Sequence, residues 1–287
     1  MTKILKGKPA SDRLSEELLR RSDVLRGKDV IPTLAVVRMG ERPDDLAYER
    51  GLTKRAEKTG VEVRRFLFPE NIPETEFLPE FQKIADDPSV HGILPFRPLP
   101  RQIRDEKIRE ILPGSKDVDG ITAASMAAIY EDGRGHSDSG FAPCTAESVM
   151  ELLDFYGINP DGMRAAVVGR SLVIGKPVSA LLLQKNATVT VCHSHTKNLS
   201  DILQNNDILV LCAGHAGIAD RSSFRKGQIV IDVSVNFGED GKMRGDAVFE
   251  DADGVVSAIT PVPGGVGSLT TSILMRHVIE AAERTIQ

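Results

Sequence analysis

The chain has 287 residues, 41% hydrophobic and 27% charged, with a formal net charge of −5 at pH 7. That length suits two domains with a core each, and the composition is that of a soluble globular protein. A mildly acidic chain without a dense Lys/Arg block excludes nucleic acid as main partner, and no apolar run approaches the roughly 20 residues that span a bilayer.

The first nine residues lack the apolar core of a signal peptide. Three cysteines, Cys144, Cys192 and Cys212, are odd in number and far apart. They fit reduced packing thiols in a cytoplasmic protein rather than a disulfide framework or a zinc site, and no metal is expected.

In chain order, Leu14, Leu18, Leu19, Val24 and Leu25 form a helical stripe that stops before Gly27. Residues 33–37 are a short apolar run of buried-strand type, 48–58 a polar-rich helix ending at Gly60, 61–66 an alternating strand, 77–84 a helix, and 92–94 the start of another strand. Repeated units of this length predict an α/β fold with a parallel sheet covered on both faces. Residues 113–144 break the rhythm, with a polar stretch over 131–140, and read as the inter-domain region. A second series follows: a helix at 145–155, a strand at 164–168, a helix after Gly175, and strands at 187–191, 207–211 and 228–232. The closing helix, 269–284, follows a Pro/Gly loop and is expected to pack back on the first domain.

The turn Gly169-Arg170-Ser171-Leu172-Val173-Ile174-Gly175-Lys176-Pro177 joins a strand to a helix, where a dinucleotide-binding βαβ unit places its phosphate turn. It is not G-x-G-x-x-G: Ser171 holds the middle small position, and Gly175 comes late. About twenty residues on, where an NAD-binding unit carries a carboxylate, the chain reads Cys192-His193-Ser194-His195-Thr196-Lys197 with no acid. Arg170, Ser194 and Lys197 make a donor-rich pocket that favours the 2′-phosphate of NADP, with NAD as the other candidate. His193 and His195 have no acid or cysteine cluster beside them to complete a metal site.

The loop Ile259-Thr260-Pro261-Val262-Pro263-Gly264-Gly265-Val266-Gly267 has too many prolines and glycines for a helix or strand. Leading into a helix start, it can seat a flat or anionic ligand, or serve only as a tight connection.

With Lys116-Asp117-Val118-Asp119-Gly120 and Pro143-Cys144-Thr145, these motifs occur in an order and spacing that closely resembles the methylenetetrahydrofolate dehydrogenase/methenyltetrahydrofolate cyclohydrolase family, over essentially the whole chain. The resemblance implies two α/β domains with a folate cleft between them, a C-terminal Rossmann-type NADP-binding domain, and a homodimer. It implies a folate-binding domain over 1–143 completed by 268–287, and a cofactor domain over 144–267. Tyr48 and Asp119 would be the catalytic pair, Asp119 binding the pterin end, with Pro263, Gly264 and Gly265 also on the substrate. Gly169, Arg170, Ser171, Ile174, Gly175, Ser194, Thr260 and Gly267 would bind the cofactor, Arg170 and Ser194 at the 2′-phosphate.

Four positions depart from the family. A lysine essential for the cyclohydrolase step stands four residues after the tyrosine; here it is Leu52. The supporting glutamine is Phe96, and a small Ala-Ser pair upstream is Asp44-Asp45. Lys54 falls off the tyrosine face, whereas Arg55 and Arg97 keep their protons at neutral pH. Dehydrogenation needs the two reacting carbons held in line and no protein base, whereas hydrolysis needs activated water and proton movement. The expectation is a dehydrogenase with weak or absent cyclohydrolase activity. The alternatives are bifunctionality through a substitute group, an inactive NADP/folate-binding regulator, and an oxidoreductase on the same scaffold with a non-folate or modified pterin substrate.

Overall fold

The computed structural model describes residues 1–131, 140–238 and 240–286. Most of the polar 131–140 stretch, His136 included, lies outside them. The chain runs β1 (Lys3–Ile4), α1 (Gly7–Arg26), β2 (Thr33–Met39), α2 (Pro43–Thr59), β3 (Glu62–Phe68), α3 (Glu74–Asp86), β4 (Gly92–Pro95), α4 (Asp105–Ile111) and α5 (Ala123–Ala128). It continues through α6 (Cys144–Phe155), β5 (Arg164–Val168), α7 (Gly175–Gln184), β6 (Thr188–Cys192), α8 (Leu199–Gln204), β7 (Ile208–Leu211) and β8 (Ile229–Asp232). A small hairpin, β9 (Asn236–Phe237) and β10 (Met243–Arg244), precedes α9 (Phe249–Ala252), β11 (Ala258–Ile259) and α10 (Thr270–Arg284).

Two compact units result, Asp12–Cys144 with Thr271–Gln287, and Met1–Ser11 with Thr145–Thr270. Residues 1–11 therefore do not sit where the sequence put them. Lys3 and Ile4 pair in parallel with Ala258 and Ile259, and the Thr2 hydroxyl donates to Val256 O at 2.9 Å. A two-residue strand has no periodicity for sequence reading to catch.

In the unit of residues 12–144 the sheet is parallel, ordered β3-β2-β4. All seven residues of β2 are buried, and its alternation feeds two cores. Leu34 and Val36 join one with Leu14, Leu18, Leu52 and the α10 residues Ile273, Met275 and Val278. Ala35, Val37 and Met39 join the other with Phe77, Phe81 and Ile108. Helix α2 starts at Pro43 with Asp44 and Asp45 in its first turn, where the helix dipole favours negative charge. It stops at Gly60, whose φ of 74° suits the left-handed cap and whose N–H donates to Ala56 O.

The other unit holds a six-stranded sheet ordered β1-β11-β8-β7-β5-β6, every pair parallel. Chain order reverses between β5 and β7, so the loops after these strands open on the crevice where doubly wound sheets bind ligands. Among the described residues no helix is long and apolar enough to cross a membrane.

Candidate functional site

At the carboxyl ends of β2 and β4, the unit of residues 12–144 carries a cleft of about 480 Å³ lined by Arg42, Asp44, Asp45, Tyr48, Phe96, Arg97 and Asp119, among others. Tyr48, in the second turn of α2, meets the Phe96 ring edge-on, centroids 5.5 Å apart. Desolvation first, and the Asp119 charge second, push the Tyr48 phenol above its ordinary range, so it keeps its proton at neutral pH. At the rim, Arg42 grips the largely buried Asp45 through bonds of 2.8 and 2.9 Å, and Arg97 donates to Asp105 at 2.8 Å.

The Lys116-to-Gly120 motif divides its work residue by residue. Lys116 Nζ donates to the carbonyls of Ala85 and Asp87 at 2.8 and 2.6 Å, closing the end of α3. The buried Asp117 carboxylate accepts from Ile121 N, Thr122 N and Ser125 Oγ and so opens α5. Gly120, at φ 68°, packs so closely on Phe141 O and Pro143 N that a side chain there would collide with backbone. These constraints leave Asp119 directed into the cleft. Burial pushes its carboxyl up to about 6, opposed chiefly by a hydrogen bond from Cys144.

Leu52 has no exposed surface and Phe96 is 7% exposed; both belong to one apolar cluster with Leu14, Leu18, Leu94 and Met275. Lys54 is exposed, and Arg55 turns to α1, donating to Ser15 Oγ at 2.8 Å.

One feature of this site has no sequence signature. Glu49, beside Tyr48, is buried and ion-paired with Arg38 of β2 at 3.0 Å and Arg65 of β3 at 2.6 Å. Arg38 is buried too and also donates to Gly40 O. Three charges distant in sequence meet because α2 lies across two strands.

In the other unit, a side chain at Gly175 would strike the carbonyl of Gly169, and one at Gly169, whose φ is 135°, would strike Cys212. The late glycine thus closes the turn on its first residue. Ser171 Oγ accepts from Ile174 N at 3.2 Å within it. Val168 and Cys192 are register partners, so Arg170 and Ser194, each two residues past that pair, stand exposed at the carboxyl ends of adjacent strands. A turn whose two glycines, Gly169 and Gly175, leave no room for a Cβ, standing at the start of a helix, has the shape that can seat a phosphate group. Lys197 instead lines a groove of about 660 Å³ with Arg164, Thr188 and Thr190.

Thr260 is buried at the end of β11 and ties two strands: its hydroxyl accepts from Asp232 N at 2.7 Å and reaches Asp232 O at 3.1 Å. It lines a cleft of about 620 Å³ with Asp232, Arg244, Pro261 and Val262. Beyond it, Pro263, Gly264 and Gly267 are exposed and Gly265 is buried. Gly264 O accepts from Gly7 N at 2.9 Å, and a side chain at Gly7 would meet Gly265 O. The loop is thus anchored on the chain's first helix. It ends in a 3-10 turn, Val266–Ser268, so α10 begins at Thr270, slightly later than the sequence suggests.

Two family models match this chain: "Tetrahydrofolate dehydrogenase/cyclohydrolase, catalytic domain" over residues 5–119 and "Tetrahydrofolate dehydrogenase/cyclohydrolase, NAD(P)-binding domain" over residues 143–286. It is 44% identical over 281 residues to the bifunctional protein FolD of Alkaliphilus oremlandii, covering 98% of this chain and 97% of that one. The crystal structure of the bifunctional FolD methylenetetrahydrofolate dehydrogenase/cyclohydrolase from Campylobacter jejuni superimposes with a TM-score of 0.94 at 35% identity, covering 99% of this chain and 100% of that one. The Trypanosoma brucei methylenetetrahydrofolate dehydrogenase-cyclohydrolase, complexed with NADP and an inhibitor, gives 0.90 at 29% identity, covering 100% and 99%.

Proposed function

The chain belongs to the tetrahydrofolate dehydrogenase/cyclohydrolase family, and from that premise we propose that it is an NADP-dependent methylenetetrahydrofolate dehydrogenase whose cyclohydrolase step is weak or lost. The observation that carries this reading is the burial of Leu52 and Phe96 in one apolar cluster, while Tyr48 and Asp119 line the adjoining cleft.

In this reading the folate ring lies in the Asp12–Cys144 unit and the cofactor in the unit built on β5 to β8. Asp119 accepts hydrogen bonds from the N–H groups of the pterin end and sets its depth. The edge-on pair Tyr48–Phe96 forms a wall against which the flat ring system lies. The Gly169–Gly175 turn, with Ile174, would hold the pyrophosphate of NADP through backbone N–H groups, and Arg170 and Ser194 its 2′-phosphate. When bound, NADP supplies the hydride acceptor. The chain's own contribution to that step is alignment of the reacting carbons, which needs no residue to change protonation. Ring opening does need a positioned proton carrier, and neither Leu52 nor Phe96 can be one. Removing both polar partners together leaves no buried group unpaired.

Purified protein given methylenetetrahydrofolate and NADP is expected to accumulate methenyltetrahydrofolate, with weaker turnover on NAD. Enzyme-dependent loss of that product above the buffer rate would refute the claim about hydrolysis. That outcome would support a second reading, bifunctionality through a substitute group, which the similarity to bifunctional relatives favours. A homodimer in the cytoplasm completes the proposal, its assembly checked by light scattering.

A further inference from the structure

The loop after β7, residues 213–217, leaves the sheet beside the cofactor turn. Cys212 N donates to Val168 O at 2.9 Å, and the Cys212 carbonyl is what a side chain at Gly169 would strike. Further along, Ala216 and Gly217 border the cleft that Thr260 lines. The loop thus runs between two features of the cofactor reading, the Gly169 turn and Thr260.

Its conformation is set from outside itself. Asp246, which has no exposed surface, accepts from three consecutive backbone N–H groups: Ala213 at 2.7 Å, Gly214 at 3.2 Å and His215 at 2.7 Å. Gly214, at φ 68°, supplies the left-handed step that lets them converge. Ser234 Oγ donates to the same carboxylate at 2.8 Å and accepts from Gly214 N at 3.1 Å, and Asn236 Nδ2 donates to it at 3.0 Å. Asp246 is held in turn by a second carboxylate. Asp232, at the end of β8, accepts from Asp246 N at 3.1 Å, Ala247 N at 2.7 Å and Ser234 N at 3.2 Å. Gly245 permits this approach, since a side chain there would collide with the Asp232 carboxylate. The bond from Asp232 N to the Thr260 hydroxyl closes the chain. Two buried acids therefore tie the loops after β7, β8 and β11 into one frame.

Successive backbone N–H groups that converge in this way form a cradle for an anion. Here the anion belongs to the protein, so the loop holds its shape before any ligand arrives. We propose that Asp246 is a positioning residue for NADP: its carboxylate fixes the 213–217 loop as the wall beside the Gly169–Gly175 turn, and Asp246 itself does not touch the cofactor. A loop ordered in advance costs the cofactor less to bind, so the gain lies in NADP affinity. This rests on the reading of that turn as the NADP site.

The test sets NADP affinity, by isothermal titration calorimetry, beside amide hydrogen exchange of the cofactor-free protein, by NMR. Asp246→Asn keeps the shape of the side chain but turns an NH2 group on donors that need an acceptor. Exchange at Ala213, Gly214 and His215 is expected to quicken, and the Kd for NADP to rise about tenfold. The KM for the folate changes by less than about twofold, because nothing on the substrate has moved. Leu203→Ala, which hollows the core of the same unit, lowers the melting temperature and leaves the Kd unchanged. A Leu203→Ala variant whose Kd rises as far as that of Asp246→Asn overturns the proposal, as do wild-type exchange and Kd in Asp246→Asn. Should Asp246→Asn not fold, Ser234→Ala carries the test, since it removes a donor to Asp246 and an acceptor for Gly214 N. Its Kd is expected to rise about threefold, and a wild-type value overturns the proposal. Wild-type protein that binds no NADP, while Asp246→Asn still frees the three amides, refutes the cofactor reading and leaves the hold of Asp246 on the loop standing.

Discussion

Leu52 is the residue on which the sequence rests its expectation of weak or absent cyclohydrolase chemistry. Its distance from Tyr48 identified it before any coordinates, because a four-residue spacing on a helix fixes a face. The surroundings were not legible, since the cluster around Leu52 draws on α1, β2 and α10. Leu52→Lys places an ammonium among these side chains, with Phe96 still offering no hydrogen bond. Stability to urea is expected to fall by about 2–4 kcal/mol, and in the proposed reading methenyltetrahydrofolate hydrolysis is no faster than in the wild type. Adding Phe96→Gln supplies a partner and recovers part of the loss; strictly additive effects would contradict contact between the two sites. Asp119 gives a second test. Its carboxyl, ordinarily at 3.8, is pushed up to about 6 in the folded protein, by burial first. The folded state therefore holds this proton more tightly than the unfolded chain. That stabilisation is full below about pH 4 and is lost as pH rises through about 6. Asp119→Asn removes the dependence, so between pH 4 and 6.5 its melting temperature should fall less than the wild type's. Parallel curves in scanning calorimetry would show that Asp119 titrates normally. His277 illustrates the opposite case: no neighbour in sequence marks it, and its contact with the Val118 carbonyl exists only because α10 meets the Lys116-to-Gly120 segment.

At the scale of elements, sequence pattern located β2 to β8 and the helices α1, α2, α3, α6, α7 and α10 through hydrophobic period and Gly/Pro stops, and it missed the short helices α4, α5, α8 and α9. It matched the bounds of β5, whose last four residues are apolar and buried, and ended too early at β2, where the buried Arg38 at the sixth position looks like a surface residue. That arginine matters because Glu49 neutralises it, with Arg65 on the other carboxylate oxygen. The three charges fasten α2 over β2 and β3 and so fix the helix that carries Tyr48. Glu49→Ala leaves the buried Arg38 without its counter-charge, the costly way to break a buried pair, with an expected loss of about 3–5 kcal/mol. In this reading KM for the folate rises more than kcat falls, because the variant loosens the wall of the binding cleft and removes no reacting group. A chemical denaturation curve with the wild-type midpoint would mean that the triad contributes nothing to holding α2. The cofactor turn was legible to a similar depth. Its glycines stood out as such, but the closure of Gly175 on Gly169, which accounts for the late spacing, is a fact of three-dimensional packing.

For the whole molecule, the division of the chain is the main departure from linear reading. Each unit is assembled from two separate segments, and the backbone passes from one unit to the other after Ser11, after Cys144 and after Thr270. The first crossing was invisible because its signal is a two-residue strand. The last was foreseeable because the Pro/Gly loop ends one series of elements just before an amphipathic helix. Interleaving of this kind makes stability depend on both ends of the sequence. Ile273, Leu274, Met275, Val278, Ile279, Ala281 and Ala282 of α10 all lie in the cluster that also buries Leu14, Leu34 and Leu52. A fragment ending at residue 144 would expose those partners, and burial of apolar surface is the main force holding such a unit together. It is therefore expected to give a poorly dispersed amide NMR spectrum and no cooperative thermal transition. Adding residues 268–287 in trans, as a peptide, is expected to restore dispersion by refilling the face that α10 occupies. A fragment that folds cooperatively alone would show that α2, β2 and the cleft they carry do not need the closing helix.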